Sequence, residues 1–182
     1  MEIPGKSDRW SFDNWRINVN AWFLSLAARH RQTGLLIDTN ILMLWAVGRL
    51  SMDVLTTFKR TKQFSTFDLY LLNAILPLFS RILTTPSVVT EVSNLCGQLP
   101  GDIRRRFFTR WSQDIGALVE IYTPSEHLVS REGFIDFGVT DAAIEDAAHK
   151  GVLVLTDDFR LSGYLDSVGL NAVNFNHLRG PL

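Results

Sequence analysis

Short apolar runs separated by polar and turn-forming residues set the pattern of this chain. Leu35-Leu36-Ile37, Arg81-Ile82-Leu83-Thr84, Val119-Glu120-Ile121-Tyr122, Val152-Leu153-Val154-Leu155 and Ala172-Val173-Asn174-Phe175 each read as a strand. The aliphatic runs have the look of strands buried on both faces, as in a parallel sheet covered by helices. Helical signals fill the gaps. The run Ile41–Trp45 opens a helix directly after Asp38, and Ser65 is an N-cap for a helix reaching about Phe79, with Leu69, Leu72, Ile75 and Leu76 inward. Thr85-Pro86 starts another, with proline suited to the first turn. On that helix Val88, Val89, Val92 and Leu95 are core positions and Glu91 stands among them. Residues 51–64 show no clean period. A helix is expected from Asp102 to about Leu118, a short one over 125–129, and a loop over 133–138. Thr140 is read as the cap of a helix from Asp141 to Lys150 that Gly151 ends. A last helix covers 159–168.

Strands and helices therefore alternate, which predicts an α/β fold: a single three-layer α/β/α domain with a central parallel sheet. This domain is assigned to 34–182. Residues 1–33 precede it as an aromatic-rich extension, helical from about 13 to 29. Its Trp10, Phe12, Trp15, Trp22 and Phe23 argue against a disordered tail and for packing on the domain or on a second copy in a homodimer.

Composition narrows the class. The chain has 182 residues, 46% apolar and 20% charged, enough for one domain with a sizeable core. Its single cysteine, Cys96, excludes an intramolecular disulfide, fits a reducing compartment and suggests inert packing. No apolar run approaches the roughly 18 residues of a membrane span. The first residues lack the order of a signal peptide, so a cytoplasmic location is expected. Net charge is −1, but its distribution is uneven: residues 1–110 carry a balance of +6 and residues 111–182 one of −7. That asymmetry suits an acidic, metal-filled centre beside a basic track for a polyanion.

The acids fall where such a fold binds ligands. Asp38 and the Asp157-Asp158 pair directly follow strands, and ligands of open α/β sheets sit at the strands' carboxyl ends. Thr39 and Asn40 are the polar groups best placed to orient Asp38. Asp141 opens a helix, and Glu91 follows the second strand by a few residues. If the first and fourth strands are neighbours, Asp38 and Asp158 meet at one edge. Carboxylates held that close repel one another unless one is protonated or a cation intervenes. Mg²⁺ or Mn²⁺ suits an all-oxygen set. His30, His127, His149 and His177 have no ligand spacing and are read as surface residues.

Taken in order, Leu-Leu-Ile-Asp38-Thr39-Asn40, Thr85-Pro86-Ser87-Val-Val-Thr90-Glu91-Val, Val139-Thr140-Asp141-Ala-Ala-Ile and Val-Leu155-Thr156-Asp157-Asp158-Phe resemble the PIN-domain nucleases over roughly residues 35–175. The resemblance implies a metal-dependent nuclease, usually acting on single-stranded RNA. Its metal ligands would be Asp38, Glu91, Asp141 and an acid of the Asp157-Asp158 pair. The family's Thr-x-Asp spacing selects Asp158, and Asn40 and Thr156 match its polar supports. The longer distance from Asp38 to Glu91 and the N-terminal extension depart from the small toxin members. A toxin with an antitoxin partner and another branch of the family both stay open. The competing reading is a non-catalytic RNA-binding or protein-interaction module of the same fold. For substrate grip, Lys59, Arg60 and Lys62, and the helix bearing Arg104–Arg106 and Arg110, are the basic candidates. Phe64 is a possible stacking partner for bases.

Overall fold

The computed structural model describes residues 21–179. Five strands, β1 (Leu35–Ile37), β2 (Ile82–Thr84), β3 (Val119–Glu120), β4 (Leu153–Thr156) and β5 (Ala172–Asn174), form one sheet in the order β3-β2-β1-β4-β5. Every pairing is parallel. Leu35, Leu36 and Ile37 lie opposite Leu153, Val154 and Leu155, and Leu35 and Leu36 opposite Ile82 and Leu83. Strands β1 and β4 are buried at every position, the outcome that their uninterrupted aliphatic sequence predicts for a sheet flanked by helices.

The helices are α1 (Ala21–His30), α2 (Thr39–Leu50), α3 (Met52–Thr57), α4 (Thr66–Ile75), α5 (Pro86–Cys96), α6 (Gly101–Asp114), α7 (Ser125–Leu128), α8 (Phe134–Ala148) and α9 (Phe159–Ser167). Local signals account for most of their starts. Ser65 and Asp68 form a reciprocal capping box at α4, and Thr85 caps α5 with Pro86 in its first turn. The patternless segment 51–64 holds the one-and-a-half turns of α3, capped by the Ser51 hydroxyl. Helix α2 is apolar nearly all round: Ile41 to Gly48 are buried without a break, so it is the central helix of its layer. It packs against α3, α4, α5 and α6.

Three expectations are corrected. Thr140 is not a cap: the backbone of α8 breaks at Gly138 (φ 80°, ψ −173°), helical geometry resumes after it, and Thr140 already lies inside the helix. Only glycine accepts that φ without strain, so Gly138 rather than a hydroxyl sets where the Asp141 segment begins. His30 is not a surface residue; it is buried at the end of α1, with Nδ1 3.1 Å from the carbonyl of Gly151. Phe64 is 2% exposed and belongs to the core, which removes it as a stacking partner for bases.

The described part of the N-terminal extension is α1, and Phe23, Leu26 and Ala27 join the same core as the sheet. The assignments at Trp10, Phe12 and Trp15 lie outside the described residues. Cys96 is buried, and burial pushes its thiol up to about 12, which keeps it in the unreactive form. Among the described residues no helix is long and apolar enough to cross a membrane.

The approach to β1 leaves no room for a side chain at Gly34. Gly34 has φ +99°, and a Cβ there would lie 2.3 Å from Leu83 Cδ1 and 2.8 Å from the Arg81 carbonyl oxygen. Gly34→Ala combines a left-handed backbone with a clash against main chain. It should lower stability by about 2–4 kcal/mol, read as a fall in the urea midpoint at unchanged slope.

Candidate active site

The strand order makes β1 and β4 neighbours and sends the chain outward from them in both directions. This is a topological switch point, and the crevice beyond its carboxyl ends is where open α/β sheets bind ligands. Asp38 follows β1 and Asp157 follows β4. The backbone N–H of Asp38 donates to the carbonyl of Leu155 (3.1 Å), so the two strand ends are stitched at the point where the acids begin.

Asp38 is 6% exposed. Its Oδ1 accepts from the Ile41 backbone N–H at 2.9 Å, capping α2, and its Oδ2 accepts from the Thr156 hydroxyl. Capping and a functional role are therefore not alternatives, since one oxygen caps while the other faces β4. Thr156 is itself fixed, because its hydroxyl accepts from the Asp158 N–H at 2.9 Å.

Thr39 and Asn40 do not orient Asp38, contrary to expectation. The first turn of α2 carries them away to either side. The Thr39 hydroxyl donates to Glu91 Oε2 at 2.8 Å, and Asn40 Nδ2 donates to Asp157 Oδ1 at 2.9 Å. Three successive residues thus address three acids or their supports: Asp38 across to β4, Thr39 to α5 on the β2 side, and Asn40 to the loop after β4. Asp158 is exposed and caps α9, accepting from the N–H groups of Arg160 (2.6 Å) and Leu161 (3.2 Å). Spacing favours Asp158, whereas the geometry puts Asp157 beside Asp38 and Asp158 toward Asp141. The Asp141 carboxylate makes no hydrogen bond or ion pair among the described residues.

Their ionisation follows from this placement. Burial, and then the charge of Asp157, push Asp38 up to about 7; the Thr156 and Ile41 hydrogen bonds offset part of this and Asp141 adds to it. Burial, then Asp158 and Glu91, push Asp141 up to about 6. Asp157 is also raised by burial and by Asp158, against the Asn40 hydrogen bond and the charge of Arg179. The five acids named from sequence therefore act on one another electrostatically. Among the described residues, however, no three carboxylate, histidine or cysteine side chains stand close enough to cage a metal ion as placed. The donor set fits a hard divalent cation in its chemistry, being all oxygen and short of positive charge.

Arg179, Asn174 and Asn176 were not singled out from sequence. Asn176 Nδ2 donates to the Asp157 carbonyl (3.0 Å) and to Asn174 Oδ1 (2.8 Å), tying the loop after β4 to the end of β5. Arg179 donates to Asn176 Oδ1 (2.9 Å), pairs with Asp68 (2.9 Å) and lies over the Phe64 and Phe175 rings. The only available signal was that three polar residues follow a strand end, which is ordinary turn composition.

Lys59, Arg60 and Lys62 are exposed in the turn after α3. Arg60 reaches Gln98 Oε1 (3.5 Å), past the far end of α5 and about 10 Å along that helix from Glu91. Among the described residues none of the three makes an ion pair or a side-chain hydrogen bond with the acids. Arg105, Arg106 and Arg110 converge instead with Arg49, and Arg104 does not join them.

No protein-family model matches the chain, and a search of curated proteins finds no match. Fold and site alone define the class: a parallel α/β domain with clustered carboxylates at its switch point.

The raised acids give a pH signature with a definite sign. In the unfolded chain Asp38 and Asp141 release their protons near 3.8, whereas in the folded chain they hold them to about 7 and about 6. The folded state binds more protons across that window, so stability falls as pH rises from about 4 to about 7. Asp38→Asn keeps a good capping side chain and removes the charge. In chelator it should flatten this fall and melt above the native chain at pH 8, which thermal denaturation across pH will check.

Proposed function

We propose that this chain is a metal-dependent endoribonuclease that hydrolyses phosphodiester bonds of single-stranded RNA. The ligands would be Asp38, Glu91, Asp141 and the Asp157-Asp158 pair, with Mg²⁺ or Mn²⁺. The observation that carries the reading is the unbalanced negative charge at the switch point. Acids from four different elements act on one another there, and Asp38 and Asp141 are pushed toward neutrality by burial and by neighbouring carboxylates. Structural carboxylates are normally paired with cations, so an unpaired group of this kind calls for a cationic ligand. The resemblance of the four motifs to PIN-domain nucleases supplies the reaction class.

A bound divalent ion supplies polarisation of a phosphoryl oxygen and a lowered pKa for the attacking water. The chain's own contribution is positioning. Thr156 and the Ile41 N–H hold the Asp38 carboxylate at the edge of β1. Thr39 steers Glu91 and Asn40 steers Asp157 toward the same crevice. Asp38 and Asp158 cap the N-termini of α2 and α9, whose free N–H groups add partial positive charge at the edge of the crevice. No covalent nucleophile is required.

The test is cleavage of a labelled single-stranded RNA with Mg²⁺, with Mn²⁺ and with chelator. The native chain should cut only with metal, and Asp38→Asn should not cut detectably. Thr156→Val, which removes a support rather than a ligand, should lose roughly 10–100-fold. Cleavage indifferent to chelator and to Asp38→Asn would defeat the proposal, as would no cleavage of RNA or of single- or double-stranded DNA.

A further inference from the structure

The C-terminal end of α2 and one face of α6 enclose an open groove of about 440 Å³, lined by Arg49, Arg105, Arg106, Arg110, Thr109 and Gln113. Four guanidinium groups in one concavity repel one another unless something negative sits among them. Among the described residues a single carboxylate pairs with them. Asp114 is buried and pairs with Arg49 at 3.3 Å and with Arg110 at 3.6 Å, so two cations share one acid. Arg110 Nε is buried with no hydrogen-bond partner. Arg49 is further fixed with its guanidinium 4.5 Å over the Trp45 ring. Arg105 and Arg106 make no ion pair among the described residues. The result is a groove with two oriented cations at its base, two free ones beside them and a net excess of three positive charges. Guanidinium forks of this kind match the paired oxygens of a phosphate.

The groove is separate from the acids. Asp38 caps the start of α2 and Arg49 lies eleven residues on, about 16 Å along the helix axis. We propose that this groove is a second nucleic-acid contact, which grips phosphodiester groups of a single strand at a distance from the acid cluster. The nature of the strand as RNA rests on the nuclease reading above. The lining favours backbone over a free nucleotide. Small-ligand sites are mostly apolar and aromatic, whereas here Leu50 is the one apolar side chain and a face of Trp45 is taken by Arg49. Four cations and no aromatic ring in the lining suit a strand that passes over the groove.

The experiment measures binding of a fluorescein-labelled 12-nucleotide single-stranded RNA to the full chain by anisotropy, in chelator so that nothing is cut. Arg105→Gln/Arg106→Gln is the informative variant, because both side chains are exposed and free of ion pairs. Arg49 and Arg110 are left intact, since removing either strands Asp114 as a buried charge. Arg29→Gln/Arg31→Gln, equal in charge change and elsewhere on the surface, is the control. The groove variant should bind at least about tenfold more weakly and lose about 1.4 from the slope of log affinity against log salt, for two phosphate contacts. The control should do neither, and both should melt with the native chain. Equal weakening in the two variants overturns the proposal, as does unchanged binding in the groove variant. Displacement of the RNA by micromolar nucleoside triphosphate, or by poly-glutamate as readily as by unlabelled RNA, also overturns it and assigns the groove to a nucleotide or an acidic protein. Binding that depends on Arg105 and Arg106 in a chain that cuts no RNA leaves the groove standing and the nuclease reading fallen. Cleavage with unchanged binding in the variant gives the reverse.

Discussion

The pairing of β1 with β4 is the constraint on which the rest of this molecule depends. Those two strands are separated by more than a hundred residues, and their parallel register puts Ile37 opposite Leu155. Each chain then leaves the sheet one residue later or two. The Asp38 N–H binds the Leu155 carbonyl, and the Thr156 hydroxyl binds the Asp38 carboxylate. A slip of one residue would turn Thr156 to the opposite face and leave a buried carboxylate with one hydrogen bond. The dry aliphatic register therefore sets the geometry of the charged edge.

Helix α8 carries an internal comparison that shows what distinguishes the edge from an ordinary ion pair. Asp141 and Asp146 are five residues apart on the same helix. Burial raises both, but Asp146 is met by Lys150, Thr123 and Arg131, and the outcome is a carboxyl lowered to about 2. Asp141 meets Asp158 and Glu91 instead, and rises to about 6. Residue type and helix are shared; burial weighs on both, and the partners set the sign of the outcome. Around Asp146 the chain has built a closed, self-sufficient cluster. Around Asp141 it has gathered more of the same sign, which a bound proton or a cation relieves.

What could be read in advance divides along the same line between local and non-local causes. Ser65 with Asp68, Thr85 with Pro86, and the aliphatic run at 152–155 act within a few residues, and each element appears where its signal predicts it. The five acids were also legible, because an acid after a buried strand is conspicuous. Their pairing was not. Alternation of strands and helices implies a parallel sheet but leaves its order open, and it is the adjacency of β1 and β4 in the order β3-β2-β1-β4-β5 that makes Asp38 and Asp157 neighbours. Thr39 and Asn40 looked like supports for Asp38 because they adjoin it, yet the helical turn points them at Glu91 and Asp157. His30 reads as a lone polar residue until Gly151, over a hundred residues later, supplies its carbonyl. Arg49 gave no signal, since nothing in its own neighbourhood points to Arg110.

Helix α2 ties these features together. Its first residue follows the acid that caps it, its middle is buried and packs with α3, α4, α5 and α6, and its last turn carries Arg49 beside Asp114. A helix so enclosed cannot tilt without disturbing the core, because packed interiors transmit displacement rather than absorb it. The acid edge and the arginine groove are thus held at a fixed separation of about 16 Å. A polyanion engaged at both would meet two sites of opposite charge, one that repels its phosphates until a cation is present and one that attracts them at all times. Binding at the groove would then precede, and be independent of, filling of the acid site. That order follows from the charge distribution alone: the cationic end needs nothing added in order to bind, and the anionic end does.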